Sequence, residues 1–358
     1  MVKMNIKPLK IDDISVKIPI IQGGMGVGVS LSNLASAVTN AGGIGVISSA
    51  QIGFREKEFE NNPIECNIKA IKKEIALAKE KCKNGILGMN IMVATTGYAE
   101  YVKSAVEAGI DIIISGAGLP TALPKLVKDS KVKIAPIVSS LKAAKVILKL
   151  WDKHDNRTAD MVVIEGPKAG GHLGFHADKL EIEQENFDKT VISIIDEVKK
   201  YREKYSKDIP VIVAGGVFDG KDMARYLKLG ANGVQMATRF VATEECDASI
   251  KFKKAYVNAK KEDVTIVKSP VGMPGRALLN PFVEKTKKGN IKIEKCFSCL
   301  EPCNPANTPY CITKALINAV EGNVDNGLIF CGENVYKINK ISTVQEIFNE
   351  IEQEVSAE

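Results

Sequence analysis

Short apolar runs alternate with amphipathic stretches along most of the chain, a pattern typical of β/α proteins. Eight apolar runs are candidate strands: Ile18–Gly23, Ile44–Ser48, Ile86–Met92, Asp111–Gly116, Lys133–Val138, Met161–Gly166, Pro210–Gly215 and Gly233–Met236. Apolar residues at helical spacing predict the intervening helices Ser30–Ala41, Glu65–Lys83, Tyr98–Val106, Pro120–Val127, Lys142–Lys153, Phe187–Tyr205, Lys221–Leu229 and Ala248–Ala259.

Eight such units within about 240 residues match the size of a closed parallel (β/α)8 TIM barrel. Strands that are buried on both faces read as continuous apolar runs, and the run that begins at Asp111 has this character. A doubly wound open sheet is the structural alternative that the same alternation allows.

The alternation stops near residue 262, so we expect residues 1–262 to form the barrel and residues 263–358 to form a cap or tail that packs on it. This last part contains a Pro/Gly-rich loop at Ser269–Pro281 and a cysteine-rich segment. Two short helices are predicted at Thr313–Glu321 and Val344–Val355.

Composition narrows the class of protein without identifying it. Of the 358 residues, 45% are hydrophobic and 26% are charged, as in an ordinary globular protein. The net charge is +6, but lysines mix with glutamates, as in Lys69–Lys83, which indicates solvated helix faces and no nucleic-acid partner. No apolar run approaches the roughly 20 residues that cross a bilayer, and Met1–Leu9 lacks the apolar core of a signal peptide. We therefore expect a cytoplasmic protein with no membrane partner.

Glycines and polar residues cluster where the predicted strands end, which is the rim that carries the active site in such barrels. The loops after strands seven and eight form the usual phosphate site of these barrels, and glycine amides and a threonine hydroxyl are suitable donors. Taken separately, these residues could also be tight turns or caps. The candidate ligand-binding residues are Gln22, Gly23, Gly24, Met25, Asn90, Gly171, Gly215, Gly216, Gln235, Ala237 and Thr238.

His172 is the candidate catalytic residue. It is one of three histidines and follows an apolar strand into a loop with four glycines, Gly166–Gly174. A lone histidine is often structural, but imidazole is the side chain best suited to proton transfer near neutral pH. We interpret His154 as a solvated residue at a polar helix end, and His176 as either a surface residue or one that lies behind the site without contacting the ligand.

Six motifs occur in the order found in nitronate monooxygenases (2-nitropropane dioxygenases) and the related flavin-dependent enoyl-acyl-carrier-protein reductases. They are Ile20-Ile-Gln-Gly-Gly-Met25, Gly88-Met-Asn90, Ser115-Gly-Ala-Gly-Leu-Pro120, Ala169-Gly-Gly-His172, Ala214-Gly-Gly216 and Gln235-Met-Ala-Thr-Arg-Phe240. Across about residues 15–280 the sequence therefore resembles this family. The resemblance implies a barrel that holds FMN non-covalently, with its phosphate on Gly215, Gly216, Ala237 and Thr238 and with His172 as the catalytic histidine.

The resemblance implies a small-molecule substrate, foremost an alkyl nitronate that is oxidised with oxygen. The alternative is an NAD(P)H-dependent reductase of an enoyl thioester or a quinone, and a homodimer is a further expectation. A flavin-binding protein without catalysis would have no need of a titratable group such as His172 beside the flavin. The chain departs from the family pattern at Lys168, where an acidic residue is usual, and at Ala237, where glycine is usual.

Four cysteines, Cys296, Cys299, Cys303 and Cys311, have the spacing C-x2-C-x3-C-x7-C. Four thiols in so short a segment suggest a metal, and both tetrathiolate zinc and iron–sulfur clusters use four cysteines. The first three spacings resemble the cluster motif of flavoenzymes related to 2,4-dienoyl-CoA reductase. The other interpretation is that they are free or buried thiols in a cap.

Overall fold

The computed structural model describes residues 6–82 and 85–358, and its centre is an eight-stranded parallel sheet. Met1–Asn5, the start of the stretch searched for a signal peptide, and Lys83, the predicted end of a helix, lie outside the described residues. The sheet consists of β3 (Ile20–Gln22), β4 (Gly45–Ser48), β5 (Leu87–Met92), β6 (Ile112–Gly116), β7 (Lys133–Val138), β8 (Val162–Glu165), β10 (Val211–Ala214) and β11 (Gly233–Met236).

The sheet closes on itself as a barrel. Its strands follow the order β3-β11-β10-β8-β7-β6-β5-β4. The two ends meet where the Gln22 amide donates to the Ile44 carbonyl at 2.9 Å and the Ile44 amide donates to the Ile20 carbonyl at 3.0 Å. The predicted TIM barrel is confirmed, and the open-sheet alternative is wrong because these bonds join the first strand to the second.

The barrel strands are surrounded by helices, and the amphipathic pattern predicted most of them to within a few residues. The stretch predicted as Pro120–Val127 forms a single turn, and the three short helices at Leu180–Glu185, Thr238–Val241 and Pro281–Lys288 were not predicted. The helices are α1 (Ser32–Asn40), α2 (Pro63–Lys81), α3 (Tyr98–Glu107), α4 (Leu123–Leu126), α5 (Leu141–Asp155), α6 (Leu180–Glu185), α7 (Phe187–Tyr205), α8 (Gly220–Lys228), α9 (Thr238–Val241), α10 (Ile250–Val257), α11 (Pro281–Lys288), α12 (Ile312–Val320) and α13 (Val344–Ala357). Among the helices that the structure describes, none is both long and apolar enough to cross a membrane.

A short hairpin covers the N-terminal end of the barrel. Its strands, β1 (Leu9–Ile11) and β2 (Ile14–Val16), pair antiparallel and bury their apolar side chains against the inward-facing residues of the barrel. Lys133, at the start of β7, fastens this hairpin with its ammonium group 2.7 Å from the Asp12 carboxylate and 2.6 Å from that of Asp13. The cavity described below therefore lies at the opposite, C-terminal end.

A second sheet, of three strands, lies at the C-terminal end of the barrel and was not predicted. Its strands β12 (Val264–Lys268) and β13 (Pro274–Leu278) form a hairpin in the C-terminal part of the chain. The third strand, β9 (Gly171–His172), comes from the loop after β8 and pairs antiparallel with β13. The C-terminal part thus contacts the barrel through the same loop that carries the candidate catalytic histidine.

Helix α13 packs against α8 and α1, which flank the junction between the last and first barrel strands. It begins with a capping box, in which Thr343 accepts from the Glu346 amide and Glu346 accepts from the Thr343 amide. Phe348 is fully buried there, with its ring centroid 6.1 Å from that of Phe240. The C-terminal helix therefore completes the ring of helices around the barrel.

We expect Phe348→Ala to lower the free energy of unfolding by about 3–5 kcal/mol, because it leaves a cavity between α13 and the barrel. Asn349→Ala, at an exposed position of the same helix, is the matched control and should change it by less than about 0.5 kcal/mol. Urea unfolding followed by circular dichroism measures both. Equal stabilities of the two variants would show that α13 does not belong to the cooperative unit of the barrel.

Candidate active site

A cavity of about 420 Å³ opens at the C-terminal ends of the barrel strands, beneath the C-terminal part of the chain. All but one of the residues predicted to bind the ligand line it, although they come from five separate strand ends and loops. The predicted residues in its wall are Gly23, Gly24, Met25, Asn90, Gly171, His172, Gly215, Gly216, Gln235, Ala237 and Thr238.

Gln22 is the exception. Its side chain is fully buried within the barrel, where its amide nitrogen donates to the Val46 carbonyl at 2.8 Å and its oxygen accepts from the Val46 amide at 3.3 Å. The backbone amide of Gln22 is also engaged, since it donates to the Ile44 carbonyl. Gln22 therefore joins β3 to β4 and does not line the cavity.

Glycines let two strand ends approach each other closely on one side of the cavity. A Cβ atom on Gly24 would lie only 2.2 Å from the Cβ atom of Asn90, so no side chain fits there. Asn90 donates to the Ile114 carbonyl at 3.2 Å, which fixes its side chain against the neighbouring strand. The result is a wall of glycine backbone with Met25 beside it, suited to a flat aromatic ligand.

The loops after β10 and β11 form a second region of the wall. Gly215 and Gly216 have φ angles of 89° and 92°, which favour glycine, and a Cβ atom on Gly215 would lie 2.6 Å from the Gly166 carbonyl oxygen. Thr238 accepts a hydrogen bond from the Gly332 amide at 3.1 Å through its hydroxyl oxygen. Its hydroxyl hydrogen therefore remains free to donate to a phosphate oxygen.

His172 also lines the cavity, half-buried, on strand β9. Its Nε2 atom is 2.7 Å from the hydroxyl oxygen of Ser269, and its ring meets that of Phe330 edge-on at a centroid distance of 5.0 Å. Burial lowers the pKa of His172 to about 4, so the imidazole is neutral at physiological pH. A neutral ring can accept a proton through one nitrogen and donate a hydrogen bond through the other.

Glu165 ends β8 and also lines the cavity. Burial raises the pKa of its carboxyl group to about 7, because the charged form loses solvation. Lys168 also lines the cavity, and its ammonium group lies 3.7 Å from the Glu333 carboxylate. The positive charge at this position, where the proteins that the sequence resembles usually have an acidic residue, therefore has a counter-charge. The cavity thus presents two titratable groups, His172 and Glu165, that are both neutral over part of the physiological range.

Arg276 holds the glycine-rich loop in place from β13. Its guanidinium group donates to the carbonyl of Pro167 at 2.7 Å and to that of Ala169, and it pairs with Glu333 at 3.3 Å. An arginine in this position could either guide a substrate carboxylate or belong to a packed turn. These contacts favour the packed turn, because the side chain is 5% exposed and its donors are directed at the loop.

Sequence reasoning missed Ser269, Phe330 and Asn334. Each lies in the C-terminal part of the chain, and Asn334 reaches the cavity to donate to the Gly216 carbonyl at 2.7 Å. The only available signal was the Pro/Gly-rich loop that starts at Ser269, which indicates a shaped turn and not its partner.

The cysteine-rich segment lines a separate cavity of about 280 Å³, to which Cys296, Cys299, Cys303 and Cys311 all contribute. Burial raises the pKa of the Cys299 thiol to about 11. Within residues 6–82 and 85–358, no three or more His, Cys, Asp or Glu side chains are arranged to hold a metal ion. The predicted zinc or iron–sulfur site is therefore unsupported, and the structure shows these cysteines as free thiols.

Comparison with known proteins places this geometry in a family. The sequence model described as nitronate monooxygenase matches residues 7–354. A dehydrogenase of (3aS,4S,5R,7aS)-5-hydroxy-7a-methyl-1-oxo-octahydro-1H-indene-4-carboxyl-CoA from Mycobacterium tuberculosis is 28% identical over 77% of this chain and 67% of its own. A probable nitronate monooxygenase of Staphylococcus aureus is 26% identical over 76% of this chain and 78% of its own.

The chain is also similar to solved structures. FabK from Thermotoga maritima superposes with a TM-score of 0.72 at 28% identity, covering 96% of this chain and 94% of its own. A nitroalkane oxidase from Streptomyces ansochromogenes superposes with a TM-score of 0.69 at 19% identity, covering 96% of both chains, and shares the fold.

We expect Thr238→Val to weaken retention of FMN about tenfold or more, because valine keeps the shape of threonine but removes a hydroxyl donor to a charged group. Thr286→Val is the control, since the Thr286 hydroxyl only donates to the Val283 carbonyl. Fluorescence titration of the FMN-free protein measures both affinities. Unchanged affinity in Thr238→Val would contradict the phosphate position.

Because the pKa of Glu165 is raised to about 7, the folded protein keeps a proton that the unfolded chain releases at the ordinary carboxyl pKa. The contribution of this residue to stability should therefore be full in acid and be lost as the pH rises to about 7 and above. Glu165→Gln should remove that part of the pH dependence. Urea unfolding at pH 5 and pH 8 tests this, and an identical pH dependence in both proteins would contradict it.

Proposed function

The chain belongs to the nitronate monooxygenase family, and on that premise we propose that it is an FMN-dependent oxidoreductase that oxidises alkyl nitronates with molecular oxygen. One observation carries the proposal. The wall of one cavity combines a histidine that is held by Ser269 and neutral because of burial, a stretch of glycine backbone and a candidate phosphate cradle.

The residues of the cavity fit FMN. The close approach of Gly24 to Asn90 leaves a flat wall for an isoalloxazine ring, and the glycines at 215 and 216 expose loop backbone in the cavity wall. The free hydroxyl hydrogen of Thr238 suits a phosphate oxygen. When bound, FMN would supply the oxidation–reduction chemistry that no side chain can provide.

His172 would bind and orient the substrate. An N–H group of its neutral imidazole can donate a hydrogen bond to the negatively charged oxygens of a nitronate, without the cost of burying a second charge. The C-terminal part of the chain contributes Met273, Leu316 and Leu328 to the wall of this cavity.

A second candidate, reduction of an enoyl thioester or quinone with NAD(P)H, is favoured by the apolar side of the same cavity. The apolar side chains of the wall would suit a hydrocarbon chain or ring system. FabK and the CoA-thioester dehydrogenase, both 28% identical, support it as well. The apolar residues in the wall are Val27, Val29, Phe252, Tyr256, Leu316, Leu328 and Phe330.

The two candidates differ in what reduces the flavin. We expect propionate 3-nitronate alone, added without oxygen, to bleach the oxidised-flavin absorbance of the purified protein. Bleaching by NADH or NADPH alone would instead favour the reductase, with enoyl thioesters and quinones as the next acceptors to test. A protein that neither contains nor takes up FMN would contradict both candidates.

His172→Ala should keep the FMN absorbance but slow flavin reduction about 100-fold or more, in line with the usual effect of removing one preorganised hydrogen-bond donor from an active site. His154→Ala, at an exposed position on α5, is the control and should reduce its flavin at the normal rate. Stopped-flow absorbance at saturating substrate measures both. Normal rates in His172→Ala would remove the assigned role.

A further inference from the structure

Ser269 forms a hydrogen bond with one of the two ring nitrogens of His172. Its hydroxyl oxygen is 2.7 Å from His172 Nε2, although the two residues are 97 positions apart in the chain. The serine is 8% exposed and lies in the connection between β12 and β13. The contact is therefore made between the barrel loop and the C-terminal hairpin.

The backbone holds both partners in place. Strand β9 pairs His172 with Gly275 of β13, and the Leu173 amide donates to the Pro274 carbonyl at 2.8 Å. On the other side, the Gly272 amide donates to the Ser269 carbonyl at 3.0 Å and closes the turn. The imidazole thus lies on a strand of this small sheet and the hydroxyl lies on the turn between its other two strands, so backbone hydrogen bonds help to fix the distance between them.

The hydroxyl oxygen of Ser269 also accepts a hydrogen bond from the Val271 amide at 3.3 Å. An oxygen that accepts one hydrogen bond becomes a better donor through its own hydrogen, because the two bonds polarise each other. A neutral imidazole carries one proton and has one unprotonated nitrogen. Donation by Ser269 to Nε2 therefore leaves the ring proton on Nδ1.

We propose that Ser269 is a positioning residue that fixes the Nδ1–H tautomer of His172 and so presents Nδ1–H to the substrate. In the part of the chain that the structure describes, Nδ1 has no hydrogen-bond partner of its own. His172 then acts as a hydrogen-bond donor to an oxygen of the substrate. The inference rests on the proposed function for the identity of that oxygen, but the tautomer itself is a property of the protein.

The tautomer can be measured directly. The chain has three histidines, so a ¹⁵N spectrum of histidine-labelled FMN-bound protein contains few signals, and those of His172 are identified by their loss in His172→Gln. We expect the shifts of a neutral ring protonated at Nδ1 in the native protein. Shifts of a ring protonated at Nε2 would overturn the proposal, whichever substrate the enzyme uses.

Substitutions separate positioning from a structural role. Ser269→Ala should shift the His172 signals towards a mixture of tautomers and slow flavin reduction about tenfold, measured with whichever of the nitronate or the nicotinamides reduces the flavin. Ser269→Thr keeps the hydroxyl and should therefore show the native His172 signals and the native rate of flavin reduction. Ser104→Ala, a buried serine on α3 with 3% exposure, is the control and should change neither.

Unchanged His172 signals and unchanged rates in Ser269→Ala would overturn the proposal. Should that variant fail to fold, the spectrum of the native protein together with Ser269→Thr still decides it. Failure of nitronate to reduce the flavin, with the Nδ1–H tautomer observed, would count against the proposed substrate and leave the role of Ser269 standing.

Discussion

The pairing of β9 with β13 is the interaction on which the candidate active site depends. Two residues, Gly171 and His172, leave the barrel loop and join a hairpin that is formed about a hundred residues later. Without that pairing, His172 would lie on an unsupported glycine-rich loop. With it, the histidine gains a fixed backbone, a hydroxyl partner at Nε2 and an aromatic neighbour in Phe330.

The same contact region explains why the C-terminal part of the chain is more than a cover. Arg276 binds the carbonyls of the glycine-rich loop, Gly332 donates to Thr238, and Asn334 donates to Gly216. These bonds join the C-terminal part to the loops after β8, β10 and β11. The barrel supplies the residues that resemble those of the family, and the C-terminal part sets their positions.

The sequence predicted the barrel well because its strands are buried on both faces and therefore form continuous apolar runs. It also located the residues of the cavity wall, since these follow the strand ends. It could not predict β9, because a strand of two residues has no period, nor Ser269, because its partner is distant in the chain. Cysteine spacing alone does not predict a metal site, because it shows which ligands are available but not whether the fold arranges them around one ion; the four cysteines line one cavity, yet among the described residues no such arrangement occurs.

Helix α13 completes the ring of helices, yet a long stretch of chain separates it from the last barrel strand, β11. During synthesis, all eight barrel strands are therefore available well before the helix that seals the gap between α8 and α1. The surface of α8 and α1 that α13 covers stays exposed to solvent until α13 has been synthesised. The surface that α13 covers is therefore the last part of the barrel to be buried as the chain is synthesised.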